Sequence, residues 1–548
     1  PGGEAAPGVR YLVLAVFAVS GFASLALEVI WFRVLVLFLP ATTYAFTIML
    51  ATVLGGIALG SYLVTPLMRR RLDWLAVLAL LELGIGVAAL FSLTALAHGY
   101  GLAGGGETPR GAPVVGQLRV SLAASVLAML PATLLLGLAF PIGLRLWASA
   151  PGDGQKHAGE RIGVFYALNV VGAILGALAA GFVLLPRFGS QVSLAIIAAL
   201  ALASGLALLV PVARTRRALA VGAAGVGVAL FGATAAGTPD PFAAALAQRY
   251  PGQQLLWHEE GVQTTVTVQQ LANGRRVLYL DGLHQADDIP GTLYTHRLIG
   301  HLPMALHPDP REVLVIGLGG GATPGAASQY RGAAVDVVEL AQSVVHGSEW
   351  LRHANYDVLR QPNVRLRVDD GRNYLLLTPK RYDVITADVI QPYHAGAGNL
   401  YSVEYFRLAR RVLKDDGLML QWIGELPETQ YKLIMRTFLS VFPETTLWFM
   451  GHLMVGSTQP LQIDRAAFER KRADPATRVA LEQMRAGTFE ALLGLYWAGP
   501  EELRRYVGAG PLLSDDGPMV EYFLSLPRNE PPRDVSGVRG DVQRHVTR

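Results

Sequence analysis

Seven apolar runs fill the first 240 residues, near positions 11–39, 43–67, 74–97, 119–144, 162–185, 191–212 and 218–237. A helix needs roughly 20 apolar residues to cross the hydrocarbon core of a bilayer. In that medium only helices or closed barrels satisfy every backbone amide, so runs of this length predict a multi-pass α-helical membrane domain over residues 1–240. The first run is long enough to span and has no clear cleavage pattern, so it reads as a span and not as a cleaved leader. Charged residues make up only 16% of the 548, as expected when a large part of a chain lies in lipid.

Charge follows the same division. Residues 1–240 hold 14 Lys/Arg and 8 Asp/Glu, and the remainder holds 32 and 34. The basic balance therefore belongs to the apolar half, in short loops, and gives no reason to expect a nucleic-acid partner. Arg69, Arg70 and Arg71, then Arg145, Lys156 and Arg161, then Arg214, Arg216 and Arg217 fall in alternate loops. The positive-inside bias puts those loops, and the N-terminus, on the cytoplasmic side of an inner membrane. Seven spans then deliver the following domain to the exterior. It stays inside only if the run at 218–237 is interfacial or re-entrant, or if another span is miscounted.

Gly56 with Gly60, and Gly172 with Gly176, have the spacing that lets helices approach closely, and packing within one bundle is favoured over dimerisation. Glu28, Arg33 and Glu82 are ionisable groups at membrane depth and are expected to face the bundle interior. Glu28 and Arg33 lie about 140° apart on a helix, so each needs partners on other elements. Cysteine is absent, which excludes disulfides, thiolate metal sites and a thiol nucleophile.

Beyond residue 240 the periodicity changes. Residues 241–257 read as a Pro-containing linker. Alternating runs at 265–268 and 276–280 flank Asn273-Gly274, a hairpin turn signal, and predict a β-hairpin subdomain over 258–310 that ends in a helical segment. From 311 to 527 short β-rich runs alternate with helical patterns, which implies a parallel sheet built from βαβ units. The polar stretch 528–548 reads as a flexible tail.

Residues 313–316 form a buried strand leading into Gly317, Leu318, Gly319, Gly320, Gly321 and Ala322, a G-x-G-x-x-A turn ahead of a helix. Glycine there lets backbone approach a ligand with no Cβ in the way, although such turns also serve plain packing. Glu339 ends the strand 335–338, where a carboxylate can accept hydrogen bonds from both ribose hydroxyls. Turn and carboxylate together point to a nucleoside. The next strand ends at Asp369-Asp370, placed to accept the exocyclic amine of adenine. Residues 383–388 then bring Asp388 to the same C-terminal edge, where ligands of doubly wound sheets gather. Asp388 is the first choice for chemistry, whereas Asp383 opens its strand and reads as structural.

These residues resemble the spermidine synthase (polyamine aminopropyltransferase) family, in particular its members fused behind a helical membrane bundle. The likeness covers about residues 258–455 and continues weakly from Leu513 to Tyr522. The stretch from Ser20, SGFASLALEVIWFRVL, is also similar to the fused members. Leu280-Asp281-Gly282-Leu283-His284-Gln285 matches the family's LDGxxQ, and Gln263 matches the glutamine one strand earlier. The resemblance implies a decarboxylated S-adenosylmethionine site, with Gln263 and Gln285 near the donor chain, Gly317, Gly319, Gly320 and Gly321 around it, Glu339 on the ribose and Asp370 on the adenine. It puts Asp388 in the catalytic position, holding an acceptor ammonium and taking its proton. It further implies a substrate gate at Tyr393, His394 and 395–398, with Tyr294 and Gln391 beside the acceptor, no metal, and a homodimer. His296 and His301 lie on the segment with Tyr294 and read as packing or hydrogen-bonding residues, since no tight cluster has metal-ligand spacing.

Two positions depart from the family: Ala322 and Gln391 stand where it has aspartates. A dicationic acceptor in a desolvated site needs compensating anions, so the case for ordinary polyamines weakens; Asp287, Asp288 and Glu425 are the candidates to replace them. The expected fold is a multi-pass α-helical membrane domain plus an α/β Rossmann-like domain of the spermidine synthase/SAM-methyltransferase type, with an N-terminal β-hairpin subdomain. The expected activity is aminopropyl transfer from decarboxylated S-adenosylmethionine to a small amine or a membrane-associated acceptor. Two alternatives stand beside it. One is methyl transfer from S-adenosylmethionine, which Ala322 leaves sterically open. The other is a transporter or sensor whose domain binds a nucleoside or polyamine without turnover. A cytosolic donor conflicts with an exterior domain, so the side of the membrane is left open.

Overall fold

The computed structural model describes residues 7–39, 41–102, 114–148, 158–389, 391–527 and 530–547. Lys156, one of the loop cations, lies outside them. The chain divides into two compact units, residues 1–253 with 260–262, and residues 254–259 with 263–548.

Long helices build the first unit: α1 (Pro7–Phe38), α2 (Thr43–Leu67), α3 (Trp74–Leu102), α4 (Val114–Ala148), α5 (Ala158–Ala179), α6 (Leu185–Ala213) and α7 (Arg217–Gly237), with a π-turn, Ala180–Leu184, joining α5 to α6. Among the described residues six helical stretches are long and apolar enough to cross a membrane, and one of them, Gly159–Ala213, has 55 residues. It breaks at Gly189 (φ 71°, ψ 174°), which resolves it into the two runs read from the sequence.

Helix directions alternate. A Cβ on Gly172 would meet the Ala18 carbonyl and one on Gly176 that of Phe22, so α5 runs parallel to α1. Gly56 faces Thr133 and Gly60 faces Leu134, which makes α2 and α4 parallel. Gly86 faces Ala198 while Gly205 faces Ala79, which makes α3 and α6 antiparallel. Both small-residue pairs thus serve close packing inside the bundle. One end gathers cations: Arg10 donates to the Trp147 carbonyl, Arg145 to that of Met68, and Arg216 pairs with Asp73. At the opposite end Gln191 donates to the Thr238 carbonyl at 3.3 Å and Arg249 to that of Leu37 at 2.9 Å. Helix α7 therefore runs along the bundle from Arg216 to Thr238. Glu82 is buried, and its Oε1 has no hydrogen-bond partner among the described residues. Arg33 donates to the Val262 carbonyl at 2.8 Å.

The linker expected at 241–257 is instead ordered. Asp240 caps helix α8 (Pro241–Arg249) by accepting from the Phe242 amide at 2.8 Å, and strand β1 (Gln254–Glu260) follows. It opens a four-stranded sheet with β2 (Thr265–Gln270), β3 (Arg276–Leu280) and β4 (Leu283–Asp287), in that order. β2 and β3 pair antiparallel from Val266 and Leu280 to Gln270 and Arg276. Gly274 (φ 81°) supplies the left-handed residue at their turn.

Helix α9 (Pro290–Leu306) leads into the main sheet: β5 (Glu312–Ile316), α10 (Ala322–Ser328), β6 (Ala334–Glu339), α11 (Gln342–Ser348), β7 (Val364–Val368), α12 (Gly371–Leu377), β8 (Tyr382–Ala387), α13 (Val403–Val412), β9 (Leu413–Trp422), α14 (Glu428–Val441), β10 (Thr446–Trp448), β11 (Leu453–Gly456) and β12 (Tyr496–Ala498). The strand order is β12-β10-β11-β9-β8-β5-β6-β7. Strands β5 to β9 are parallel, and the apolar runs of the central β5 and β8, among them Val313, Leu314, Val315, Val384 and Ile385, are fully buried, as helices on both faces require. The wholly parallel sheet expected from the sequence is in fact mixed, because β11, β10 and β12 join antiparallel. Only residues 449–452 connect β10 to β11, too few for a parallel crossover of a dozen or more.

The tail is docked where the sequence suggested mobility. Arg533 donates to the Gly451 carbonyl at 2.6 Å, Trp497 to that of Val535 at 2.9 Å, and the Ile463 amide to that of His545 at 2.7 Å. Val535 enters the core, which offsets the ordering cost of a polar segment.

Candidate active site

From β5 the sheet grows outward through β6 and β7 on one side, and from β8 through β9 on the other. Such a switch point opens a crevice at the C-terminal edge of the strands. Gly317 follows β5 and Asp388 follows β8, and the two ends touch. The Asp388 amide donates to the Ile316 carbonyl at 3.2 Å, and a Cβ on Gly317 would lie 2.8 Å from the Asp388 carbonyl. Gly317 also has φ 91°, so glycine is required there on two counts. Gly319 and Gly321 share the positive φ, at 52° and 83°. Gly320 is covered instead: a Cβ there would meet Ala286 of β4, and Asn355 donates to its carbonyl at 2.9 Å. Gln285 lies beside Gly319, 3.7 Å from where a Cβ would stand.

Glu339 closes on the glycine turn. One oxygen accepts from the Leu318 amide at 2.8 Å and the other from the Ala341 amide at 3.0 Å. Burial raises its pKa and these backbone donors oppose the rise. Two of the carboxylate's roughly four acceptor directions are thereby used by the chain itself, so Glu339 shapes the turn as well as offering oxygen to a ribose. Asp370 caps α12, accepting from the Asn373 amide at 2.8 Å. Gln263 is exposed in the turn before β2, and no hydrogen bond among the described residues brings it to the crevice. The Tyr294 hydroxyl donates to the Met484 carbonyl at 3.1 Å, and its ring packs on Phe449. Gln391 Oε1 is buried without a hydrogen-bond partner among the described residues.

Tyr393 packs on His394, and burial raises its pKa. The segment behind them is pinned by the stretch around residue 520. Glu521 accepts from the Gly398 amide at 2.7 Å and the Gly396 amide at 3.1 Å. Asp515 takes two bonds from Arg372, at 2.8 and 2.7 Å, and one from Ser402 at 2.6 Å.

Sequence reasoning missed the group that engages Asp388. His296 Nδ1 lies 2.7 Å from Asp388 Oδ2, and the Thr323 hydroxyl lies 2.7 Å from the same oxygen. Helices α9 and α10 approach closely because Gly300 faces the Thr323 carbonyl, and that contact sets His296 beside the end of β8. Burial alone would favour the neutral acid, yet the charge and hydrogen bond of His296, then Thr323, hold Asp388 below the usual carboxylate range. Burial likewise disfavours a charged imidazole, but Asp388, and more weakly Asp287, raise His296 above its ordinary value. A small hollow of about 10 Å³ lies against His296, Asp388, Asp287 and Ala322, the room of a single water or ammonium group.

Two of the three proposed replacement carboxylates are already engaged within the protein. Asp287 lies 2.6 Å from His284 and accepts from the Ile289 amide at 2.8 Å. Asp288 accepts from the Arg276 amide at 2.9 Å and lies 2.8 Å from His353. Glu425 is exposed. Buried His307 and Asp383 lie close to exposed Asp416 with the proximity of a metal site, but Lys414 already stands 2.8 Å from Asp383, which fills the cation's place with an ammonium.

Strand order and site together define a doubly wound α/β domain with a carboxylate at its switch point, where folds of this class bind their ligands. Residues 292–441 match the spermine/spermidine synthase domain. The polyamine aminopropyltransferase of Methanocaldococcus jannaschii is 27% identical over 255 residues, covering 44% of this chain and 86% of that protein. That of Aeropyrum pernix is 32% identical over 176 residues, 31% of this chain and 56% of its own length. Among solved structures, a spermidine synthase in complex with the transition-state analogue AdoDATO aligns with a TM-score of 0.39 and 21% identity, covering 46% of this chain and 88% of that one. The second unit is a spermidine synthase-like domain, and the enzyme is aminopropyltransferase-like.

Proposed function

We propose that the chain is a membrane-embedded transferase that moves an aminopropyl group from decarboxylated S-adenosylmethionine to an amine. The observation that carries this reading is the meeting of Gly317 and Asp388 at the switch point, with Glu339 closing the turn between them. The adenosyl moiety lies along the glycine turn toward Glu339 and Asp370. The sulfonium faces Asp388, whose negative charge draws the acceptor ammonium to the carbon under attack. Incubation of the full chain with the decarboxylated donor and 1,4-diaminobutane or 1-aminobutane is expected to release methylthioadenosine. Asp388→Asn is expected to lower kcat by about 100-fold or more. Release of S-adenosylhomocysteine from S-adenosylmethionine would favour methyl transfer instead, and donor binding without either product would favour a sensor or transporter.

The first unit is read as a seven-span bundle in the cytoplasmic membrane. Its cationic end, with Arg10, Arg145 and Arg216, is assigned to the cytoplasm by the positive-inside bias. Because α7 ends at the opposite pole, beside Gln191, the reading attaches the catalytic domain on the exterior. A donor made in the cytosol then has to cross the membrane to be used.

A further inference from the structure

We propose that His296 takes the acceptor's proton through Nε2, and that the acceptor is an amine carrying a single positive charge. This rests on the aminopropyl-transfer reading above. Nδ1 is held by Asp388 at 2.7 Å, no hydrogen bond among the described residues engages Nε2, and the ring borders the hollow. A carboxylate on Nδ1–H fixes the tautomer that leaves the lone pair on Nε2. Thr323 steadies the same carboxylate oxygen. Asp388 is then the positioning group of the pair and His296 the base.

Charge limits the acceptor. A diamine brings two positive charges into a site that has to balance them. Ala322 and Gln391 are neutral, Asp287 and Asp288 are engaged by histidines and backbone amides, and Glu425 is exposed, where solvent and salt screen its charge. Asp388 remains, and it balances the one proton that His296 receives. In the step itself a proton leaves the R–NH₃⁺ group for Nε2. The freed lone pair forms the C–N bond to the propyl carbon as the C–S bond breaks. That electron pair returns to the sulfonium, giving neutral methylthioadenosine. The product amine stays protonated, and His296 releases its proton to solvent.

The charged groups facing His296 are Asp388 and Asp287, and Tyr401 faces Asp388. Since these carboxylates raise the imidazole against the effect of burial, kcat/KM is expected to climb with pH through a value above the ordinary imidazole value of about 6.5. That limb should vanish with the imidazole.

The test measures methylthioadenosine release by the full chain with the decarboxylated donor and either 1-aminobutane or 1,4-diaminobutane. Wild type is expected to use the two amines with kcat/KM within about fivefold, since Asp287, the second carboxylate at the hollow, is already engaged by His284 and a backbone amide. His296→Ala should lose about 100-fold in kcat with donor Kd within about threefold, and added imidazole should restore about tenfold. His296→Gln, of similar volume, should melt like wild type and show the same loss. Gln391→Asp should shift preference toward the diamine by about tenfold. Retention of more than about a fifth of kcat in His296→Ala, no rescue by imidazole, or a wild-type preference of about 100-fold for the diamine would each overturn the proposal. Donor binding without turnover of either amine would overturn it alone, whereas no donor binding by wild type would sink the reading beneath it as well.

Discussion

Asp388 stays ionised where burial favours the neutral acid, because His296 and Thr323 converge on one of its oxygens. Its place was legible in the sequence, as were those of Glu339 and Asp370, since each closes an apolar run and strand ends carry the ligand groups of this architecture. His296 was not legible, because its partner is 92 residues away and no local spacing encodes such a pair. Gly317 was legible as a glycine but not for its reason, which is contact with the Asp388 carbonyl as much as approach to a ligand. Gly317→Ala is expected to destabilise by about 1–2 kcal/mol from the positive φ alone, with a lower Tm by calorimetry and weakened donor binding. A variant that melts and binds like wild type would refute the strained turn.

At the scale of elements, the hairpin around Asn273-Gly274 and the βαβ units followed the sequence signals, because turn chemistry and apolar period agree there. The antiparallel extension escaped, since β10 and β11 are only three and four residues long and pairing within a sheet decides their direction. The tail escaped for a related reason: a few residues such as Arg533 and Val535 dock a segment whose average composition is polar. The loop at 396–398 depends on an element far along the chain, through two amides given to Glu521. Glu521→Gln keeps the size but removes the charge, and a charge-assisted bond is about twice as strong as a neutral one. Acceptor KM is expected to rise severalfold with donor Kd unchanged, read by steady-state kinetics and calorimetry. Unaltered KM would mean that this loop does not meet the acceptor.

For the whole molecule, the apolar runs forecast seven helices, while the direction of α7 emerged from contacts at its two ends. The natural lack of cysteine makes sidedness measurable with single replacements at exposed positions. Gln459→Cys should react with a membrane-impermeant maleimide in intact cells, and Leu72→Cys only after permeabilisation. The reverse pattern would place the catalytic domain in the cytoplasm. The adenosyl site is tested most directly by titrating decarboxylated S-adenosylmethionine into wild type and Asp388→Asn, with methylthioadenosine followed in parallel. Binding to both, with Kd within about threefold, and product from wild type alone is the expected result. Failure of wild type to bind either this donor or S-adenosylmethionine would contradict it.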